Sequence, residues 1–446
     1  MQPNALLDAL LAEAGMSHAG LAAHVNQAGR SRGLALRYEH TAVTRWLRGQ
    51  RPRGQVPDLI CEVLGGRLRR PVSLDDIGLG LPGQPASPHG SPLSGFVDRA
   101  AALWRSDEQG RVQLLNAEAV TGTPAVIPVW EWENPPEDAD VSRDGPNLIG
   151  PEHIEILRAA RAHYELMYRR AGGVATRARI VRFLGSETAP MLRGRYPDRL
   201  GRQLHRATGS LVAVAGICAY DSDAHGLAQR YFHQALRLAK ASGDRGLGAY
   251  VIALIVNQSL HLREYRQAVA FAEAALRAAG RQTTPALTAD LYAMQAKAYA
   301  QLGDTAAALA CIRRAEAAAE RIRPGTEPDE TGYVQPGLVN VQVAEALLSM
   351  GDLRAAHEQA TAAVGTPAHD RGRVHRLAML CEIQLRQGEA DRAVAAAAEM
   401  AERAKGMESL RLRDRLRAVR EQLLTSGCSG AEETAQLIDG ALRVPL

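Results

Sequence analysis

Residues 299–320 read YAQLGDTAAALACIRRAEAAAE. Tyr299 closes one helical stretch, Leu302-Gly303-Asp304 interrupts it, and Ala308, Ile312 and Ala315 then share one face of a second helix. Glycine can end a helix in the left-handed conformation, and the acid after it can cap the next. The pattern returns in LLSMGDLRAAHEQATAAV (347–364), turning at Gly351-Asp352, and in QLRQGEADRAVAAAAEMAE (384–402), turning at Gly388-Glu389. AQRYFHQALRLAKASGD (228–244) shows the second helix, with Ala228, Phe232 and Ala235 on one face. Equivalent alanines stand at Ala228, Ala268, Ala308, Ala356 and Ala393, 37 to 48 residues apart, so the chain from about 205 to 405 is internally repetitive. Two turns differ: Asp223 and Arg263 occupy the position where the others have glycine.

These features resemble tetratricopeptide repeats in a longer, degenerate form. The resemblance implies a right-handed α-solenoid whose first helices line a concave wall suited to a peptide, a protein segment or a small molecule. Asn257, Tyr292, Gln295, Asn340 and Gln384 are then candidate ligand contacts. Asn257 and Asn340 stand out because a helix interior gains little from asparagine, although a bond to a neighbouring helix explains such a residue equally well. The charged stretch from Glu408 to Leu424 reads as a solvent-facing cap.

Composition agrees with an all-α chain. Aromatics make up 4% of 446 residues and alanine is abundant, whereas a large sandwich would need more β-branched and aromatic residues. Lys240, Lys297 and Lys405 are the only lysines, so the positive charge is nearly all arginine, as in a GC-rich, actinobacterial genome. Five scattered cysteines form no CxxC motif and no cluster with histidine, which supports neither a disulfide framework nor zinc. The first residues lack the basic segment of a signal peptide, and no apolar run reaches the roughly 20 residues of a membrane span, so a cytoplasmic, soluble protein is expected.

Residues 1–80 carry the sharpest motif. Ala5–Ala14 reads as a first helix, Ser17 as the cap of a second with Leu21, Ala22 and Val25 inward, HTAVTRWLRGQRPRG (40–54) as a third and VPDLICEVLGG (56–66) as a fourth. Val43, Trp46 and Leu47 should face the core, leaving His40, Thr41, Thr44, Arg45 and Arg48 outward. This arrangement resembles the phage-repressor-like, XRE-type helix-turn-helix family. The resemblance implies that the third helix enters the DNA major groove. Arg45 and Arg48 suit guanine, and Thr41 and Thr44 suit a thymine methyl or a phosphate. Arg37, Arg51 and Arg53 suit phosphates, as do Ser17 and His18 at the start of the second helix. One departure is plain: the family joins these helices by a turn of about four residues, whereas NQAGRSRGLALRYEH (26–40) intervenes here. Either the second helix runs longer or the loop carries Arg30, Arg32 and Arg37 toward DNA.

LPGQPASPHGSPLSG (81–95) reads as a flexible linker. Residues 96–150 read as a linker or docking segment, with a short helix near Val97–Arg105 and an extended, turn-rich AVIPVWEWENPPEDADVSRDGP (125–146). Trp104, Trp130 and Trp132 there would either pack on the helical body or form a partner surface. The repeat domain then covers 151–446. Gly78–Gly83 matches GxGxxG but lacks a preceding strand and a following helix start. Asp221, Asp223 and His225 fall at a turn, where capping is the better reading than a metal. No catalytic motif, cofactor or metal site is expected.

The sequence therefore predicts a DNA-binding transcriptional regulator, not an enzyme. Double-stranded operator DNA is its expected partner, with homodimerisation because one head reads only a half-site. Its repeat array would sense a peptide, small molecule or protein. The alternative is an adaptor that works through protein–protein contacts without an operator. Proteins joining such a head to such an array resemble two groups, the peptide-pheromone regulators of Gram-positive bacteria and a broad actinobacterial set of regulators, and the composition favours the second.

Overall fold

Amphipathic, alanine-rich stretches separated by tight turns build helices. Among the described residues the chain is all-α, with only isolated bridges such as Arg143 with Tyr196. The computed structural model describes residues 4–443 except 33, 69–71, 73, 75, 80–92 and 324. Most of the expected linker (81–95), and all but the first two residues of GLGLPG (78–83), lie outside the described residues. The chain divides into two compact units, Met1–Leu114 and Leu115–Leu446, a boundary inside the 96–150 stretch.

The first unit contains α1 (Ala5–Glu13), α2 (His18–Ser31), α3 (His40–Leu47), α4 (Val56–Leu68) and α5 (Leu93–Glu108), and the single turn α6 (Val112–Leu115) follows. Asn4 ties three of its parts together. Its side chain caps α1 by accepting from the Leu7 amide at 3.1 Å and donates to the Ile77 carbonyl at 2.9 Å. Its backbone amide reaches the Leu47 carbonyl at the end of α3, at 2.7 Å. Leu21, Ala22 and Val25 of α2, Val43 and Trp46 of α3, and Leu59, Ile60 and Leu64 of α4 form the core, with Leu47 half-buried at its edge. The long connection after α2 resolves as a longer helix plus an extended return. Residues 34–39 come back along α2, where Asn26 and the Tyr38 backbone exchange two hydrogen bonds of 2.8 Å. The Tyr38 ring then meets Trp46 edge-on at 5.1 Å.

The second unit opens with α7 (Thr123–Glu133), α8 (Pro151–Ala171), α9 (Gly173–Phe183) and α10 (Ala189–Leu192). Five helix pairs follow. They are α11 (Asp198–Asp221) with α12 (His225–Ser242), α13 (Arg245–His261) with α14 (Tyr265–Ala279), and α15 (Pro285–Gln301) with α16 (Thr305–Ala319). The last two are α17 (Pro336–Ser349) with α18 (Leu353–Gly365) and α19 (Asp370–Gln387) with α20 (Ala390–Ala404); α21 (Leu410–Ser426) and α22 (Ala431–Leu442) end the chain's described helices. The alanines at 228, 268, 308, 356 and 393 are all fully buried between paired helices. Gly303, Gly351 and Gly388 take φ of +79°, +85° and +78°, and Asp223 and Arg263 adopt the same left-handed turn at +58° and +62°. Asp304 and Asp352 cap the second helices through the Ala307 and Ala355 amides, each at 3.0 Å.

The one long repeat interval, from Ala308 to Ala356, holds an inserted loop between α16 and α17 that crosses to α11. Its Glu330 accepts from Arg206 at 3.0 Å and Ser210 at 2.7 Å. The inner helices α11, α13, α15, α17 and α19 pack in succession, and α8 closes the circuit against both α11 and α19. Asp221, at the end of α11, fastens the closure. It accepts from the Gly173 amide at 2.7 Å, from Ser409 at 2.7 Å and from the Arg371 guanidinium, which stacks 4.9 Å from the Tyr168 ring.

The stretch 125–146, expected to be extended, is helical up to Glu133. Pro124 sits in the first turn, where its missing amide costs nothing, and Pro128 forfeits a single internal bond. Docking on α12 and α14 outweighs that loss. Trp132 is buried, with Arg245 5.2 Å from its ring centroid, and Trp104 is buried in the first unit, while Trp130 stays exposed. Arg277 pairs with Glu133 at 2.6 Å and Arg237 grips both Asp138 oxygens at 2.7 Å. Gly248 leaves the space Trp132 needs: a Cβ there would lie 2.0 Å from the indole nitrogen. Gly248→Ala should therefore cost about 1–3 kcal/mol by overpacking, read by urea unfolding together with loss of Trp132 fluorescence burial.

Two buried histidines give the second unit an acid-sensitive core. Burial pushes His205 and His233 down to about 4 from the ordinary 6.5. The native state thus refuses protons that the unfolded chain binds. Their contribution is complete above pH 6.5 and is lost as pH falls toward about 4, at roughly 1.4 kcal/mol per unit per histidine. Urea midpoints should drop between pH 7 and 5, a range in which carboxylates held below their usual values, such as Glu330, stay ionised. In His205→Gln/His233→Gln that slope should flatten.

Candidate functional site

The first unit presents one exposed polar face built from two helices. Ser17 caps α2 by accepting from the Gly20 amide at 3.1 Å, which fixes the helix start. His18 follows, and its Nδ1 lies 3.4 Å from Thr44 Oγ1 in the middle of α3, so the start of α2 and the outer face of α3 meet. His40, Thr41, Arg45 and Arg48 are exposed along α3, with Thr44 half-buried among them. Arg45 and Arg48 make no ion pair or hydrogen bond through their side chains among the described residues. The face carries uncompensated positive charge beside the unsatisfied amides of a helix N-terminus.

The other predicted contacts separate. Arg37 and Arg53 are exposed outside the helices. Arg51 donates to the Leu79 carbonyl, which gives it a structural role in holding the closing turn. Arg32 pairs with Glu62 on α4, so the connection after α2 spends that arginine on the fold.

The second unit contains a cavity of about 780 Å³ that opens to solvent. Its walls come from the inner helices: Tyr168 of α8, Ile217 and Tyr220 of α11, Tyr250 and Leu254 of α13, Asp290, Met294 and Lys297 of α15, Gln342 and Glu345 of α17, His375 of α19, and Arg411 and Arg415 of α21. Of the five candidate contacts, Asn257 lines it. Tyr292 lies under Arg314, with 5.5 Å from the guanidinium to the ring, and buried Gln295 reaches the Val269 carbonyl of α14 at 3.5 Å. Asn340 bonds Gln359 of α18 at 2.6 Å, and buried Gln384 sits above its own repeat turn, where its carbonyl takes the Glu389 amide at 2.9 Å. These four stand outside the cavity lining, and on α15 the rotation of the helix explains it. The lining positions of α15, Asp290, Met294 and Lys297, follow an i, i+4, i+7 spacing, and Tyr292 and Gln295 are rotated off that stripe.

The residues missed were charged ones on otherwise apolar inner helices. A carboxylate and a lysine seven residues apart in TADLYAMQAKAYA, and a glutamate in VAEALL, were the available signal. Burial raises the Asp290 carboxyl, opposed by hydrogen bonds from Tyr333 at 2.6 Å and Gln342 at 2.9 Å. Burial would also raise Glu345, but Lys297 at 2.8 Å, with Arg415 and Arg411, holds it below the usual carboxylate range.

At the rim, donor atoms of Asp223, His225 and His261 lie within 4.8 Å of one another. Asp223 and His225 are engaged with each other at 2.8 Å. Burial, reinforced by Arg411, pushes His261 down to about 4, so a positive charge already sits beside this group. That proximity disfavours a cation there.

Comparison with known proteins touches the first unit alone. Residues 7–80 are similar to the SP15 N-terminal domain family, a stretch that contains most of α1, all of α2 to α4 and the turn tied by Asn4. No curated protein matches the chain. Among the described residues, no helix is long and apolar enough to cross a membrane.

Proposed function

We propose that the protein is a cytoplasmic transcriptional regulator that binds double-stranded operator DNA as a homodimer. The first unit acts as an XRE-type helix-turn-helix head, and the second as a tetratricopeptide-like sensor array. One observation carries the reading: the start of α2 and the outer face of α3 share a surface, joined at His18 and Thr44, that leaves Arg45 and Arg48 unpaired among the described residues. A helix in the major groove uses such side chains for base edges, while the neighbouring helix N-terminus takes a phosphate.

The test is salt dependence. Binding of the full chain to genomic DNA fragments should weaken steeply as salt rises through counterion release, and each phosphate contact removed should lower the log–log slope by about 1. Binding that ignores salt, or no binding at about 50 mM salt, would remove the reading.

The adaptor reading has its own observation. Val126, Ile127 and Trp130 form an exposed apolar face on α7, as a surface covered by another protein would. A stable complex with a protein partner and no DNA affinity would favour it.

A further inference from the structure

We infer that the central cavity of the second unit binds a small amphipathic anion, its carboxylate, phosphate or sulfonate at Arg411 and Arg415 and its aryl or alkyl body along the tyrosine-and-aliphatic wall. This deepens the sensor reading above and rests on it for biological use. It does not rest on it for the binding itself.

The size of the ligand follows from the volume of the cavity. Because α8 bridges α11 and α19, and Asp221 ties Gly173, Arg371 and Ser409 together, the inner helices frame the space on several sides, and exposed His261, Arg263 and Asp414 mark where it opens to solvent. A cavity of about 780 Å³ suits a compact organic molecule.

The charge of the ligand follows from what is left unpaired. Arg169 is engaged by Glu165, Lys297 by Glu345, Arg371 by Asp221, and Arg376 by the Thr366 hydroxyl and carbonyl. Exposed Arg263 lies at the opening; Arg411 and Arg415, half-buried, also line the cavity, yet neither makes an ion pair or a side-chain hydrogen bond among the described residues. They stand one turn apart on a helix anchored by the Ser409 cap and buried Leu412 and Leu416, so both guanidiniums start from a fixed element. Arg411 lies 4.0 Å over the Tyr220 ring, which aims its planar donor fork. Glu345 attracts both guanidiniums but is already bound by Lys297 at 2.8 Å, so one carboxylate faces three cations. Two adjacent guanidiniums recognise an oxyanion through charge-assisted bonds. Ile217, Leu254, Met294 and Tyr250 supply the apolar remainder.

The probe is 8-anilinonaphthalene-1-sulfonate titrated into the full chain without DNA, beside its uncharged relative N-phenyl-1-naphthylamine. Both should bind one per chain. Arg411→Gln/Arg415→Gln should weaken the sulfonate about tenfold or more and leave the neutral amine within about twofold, whereas Arg411→Lys/Arg415→Lys should retain most sulfonate affinity. Leu254→Trp, which fills the space, should abolish both. Thermal melts confirm that each variant folds. The inference is overturned if the sulfonate binds without a one-to-one limit, if the glutamine pair leaves it unchanged, or if that pair weakens both probes alike. Because no DNA is present, failure here leaves the operator reading to its own salt titration.

Discussion

Asp221→Ala lowers the unfolding free energy of the second unit by about 3–5 kcal/mol. Asp221 is 1% exposed and holds three elements at once: the start of α9, the start of α19 through Arg371, and the cap of α21. Its removal leaves Arg371 charged in a site where it is 6% exposed, and strands the Gly173 amide and the Ser409 hydroxyl. Breaking one member of a buried pair costs far more than the pair itself is worth, because the survivor keeps its desolvation penalty. Asp221→Asn keeps an acceptor and should fall in between. Asp221→Leu/Arg371→Met, which removes both charges, should recover part of the loss. Urea unfolding of the four proteins checks this series. A cost below about 1 kcal/mol for Asp221→Ala would mean that packing of α8 alone closes the array.

The second large effect lies in the first unit and leaves stability untouched. Arg45 and Arg48 are exposed and have no partner among the described residues, so replacing both with alanine should not shift the melting temperature. Specific DNA affinity should fall about tenfold or more for each guanidinium taken from a base edge, and about a hundredfold or more for the pair. Arg51→Ala should behave in the opposite way. Its bond to the Leu79 carbonyl makes it a stabilising residue, so the melt should shift while affinity per folded molecule changes less. Fluorescence anisotropy on one labelled duplex, with melts of each variant, separates the two behaviours.

The repeats were legible because local rules set them. Gly303, Gly351 and Gly388 mark turns that a left-handed residue completes, and the recurring second-helix pattern exposed Asp223 and Arg263 at the equivalent turn positions, where they adopt the same conformation. The α2 cap and the α3 core positions were legible for the same reason. Other features needed three dimensions. Asp221 and Arg371 are 150 residues apart, and no periodicity connects them. The repeat pattern placed the helices but not the rotation of each, so Tyr292, Gln295, Asn340 and Gln384 lie outside the cavity lining while Asp290, Lys297 and Glu345, which belong to it, were passed over. The helix α7 was hidden by its two prolines and by an acidic run that resembles a loop until Arg237, Lys240, Arg245 and Arg277 are seen to receive it.

If the exposed face of α2 and α3 reads DNA sequence, as proposed, capture of genomic fragments by the purified chain will reveal it. Purified full chain and Arg45→Ala/Arg48→Ala would each be mixed with sheared DNA from the source organism, and the retained fragments sequenced. A shared inverted repeat among the wild-type fragments, absent with the variant, is the predicted result. Retention without a common motif, or equal retention by the variant, would contradict it and direct attention to protein partners of the second unit.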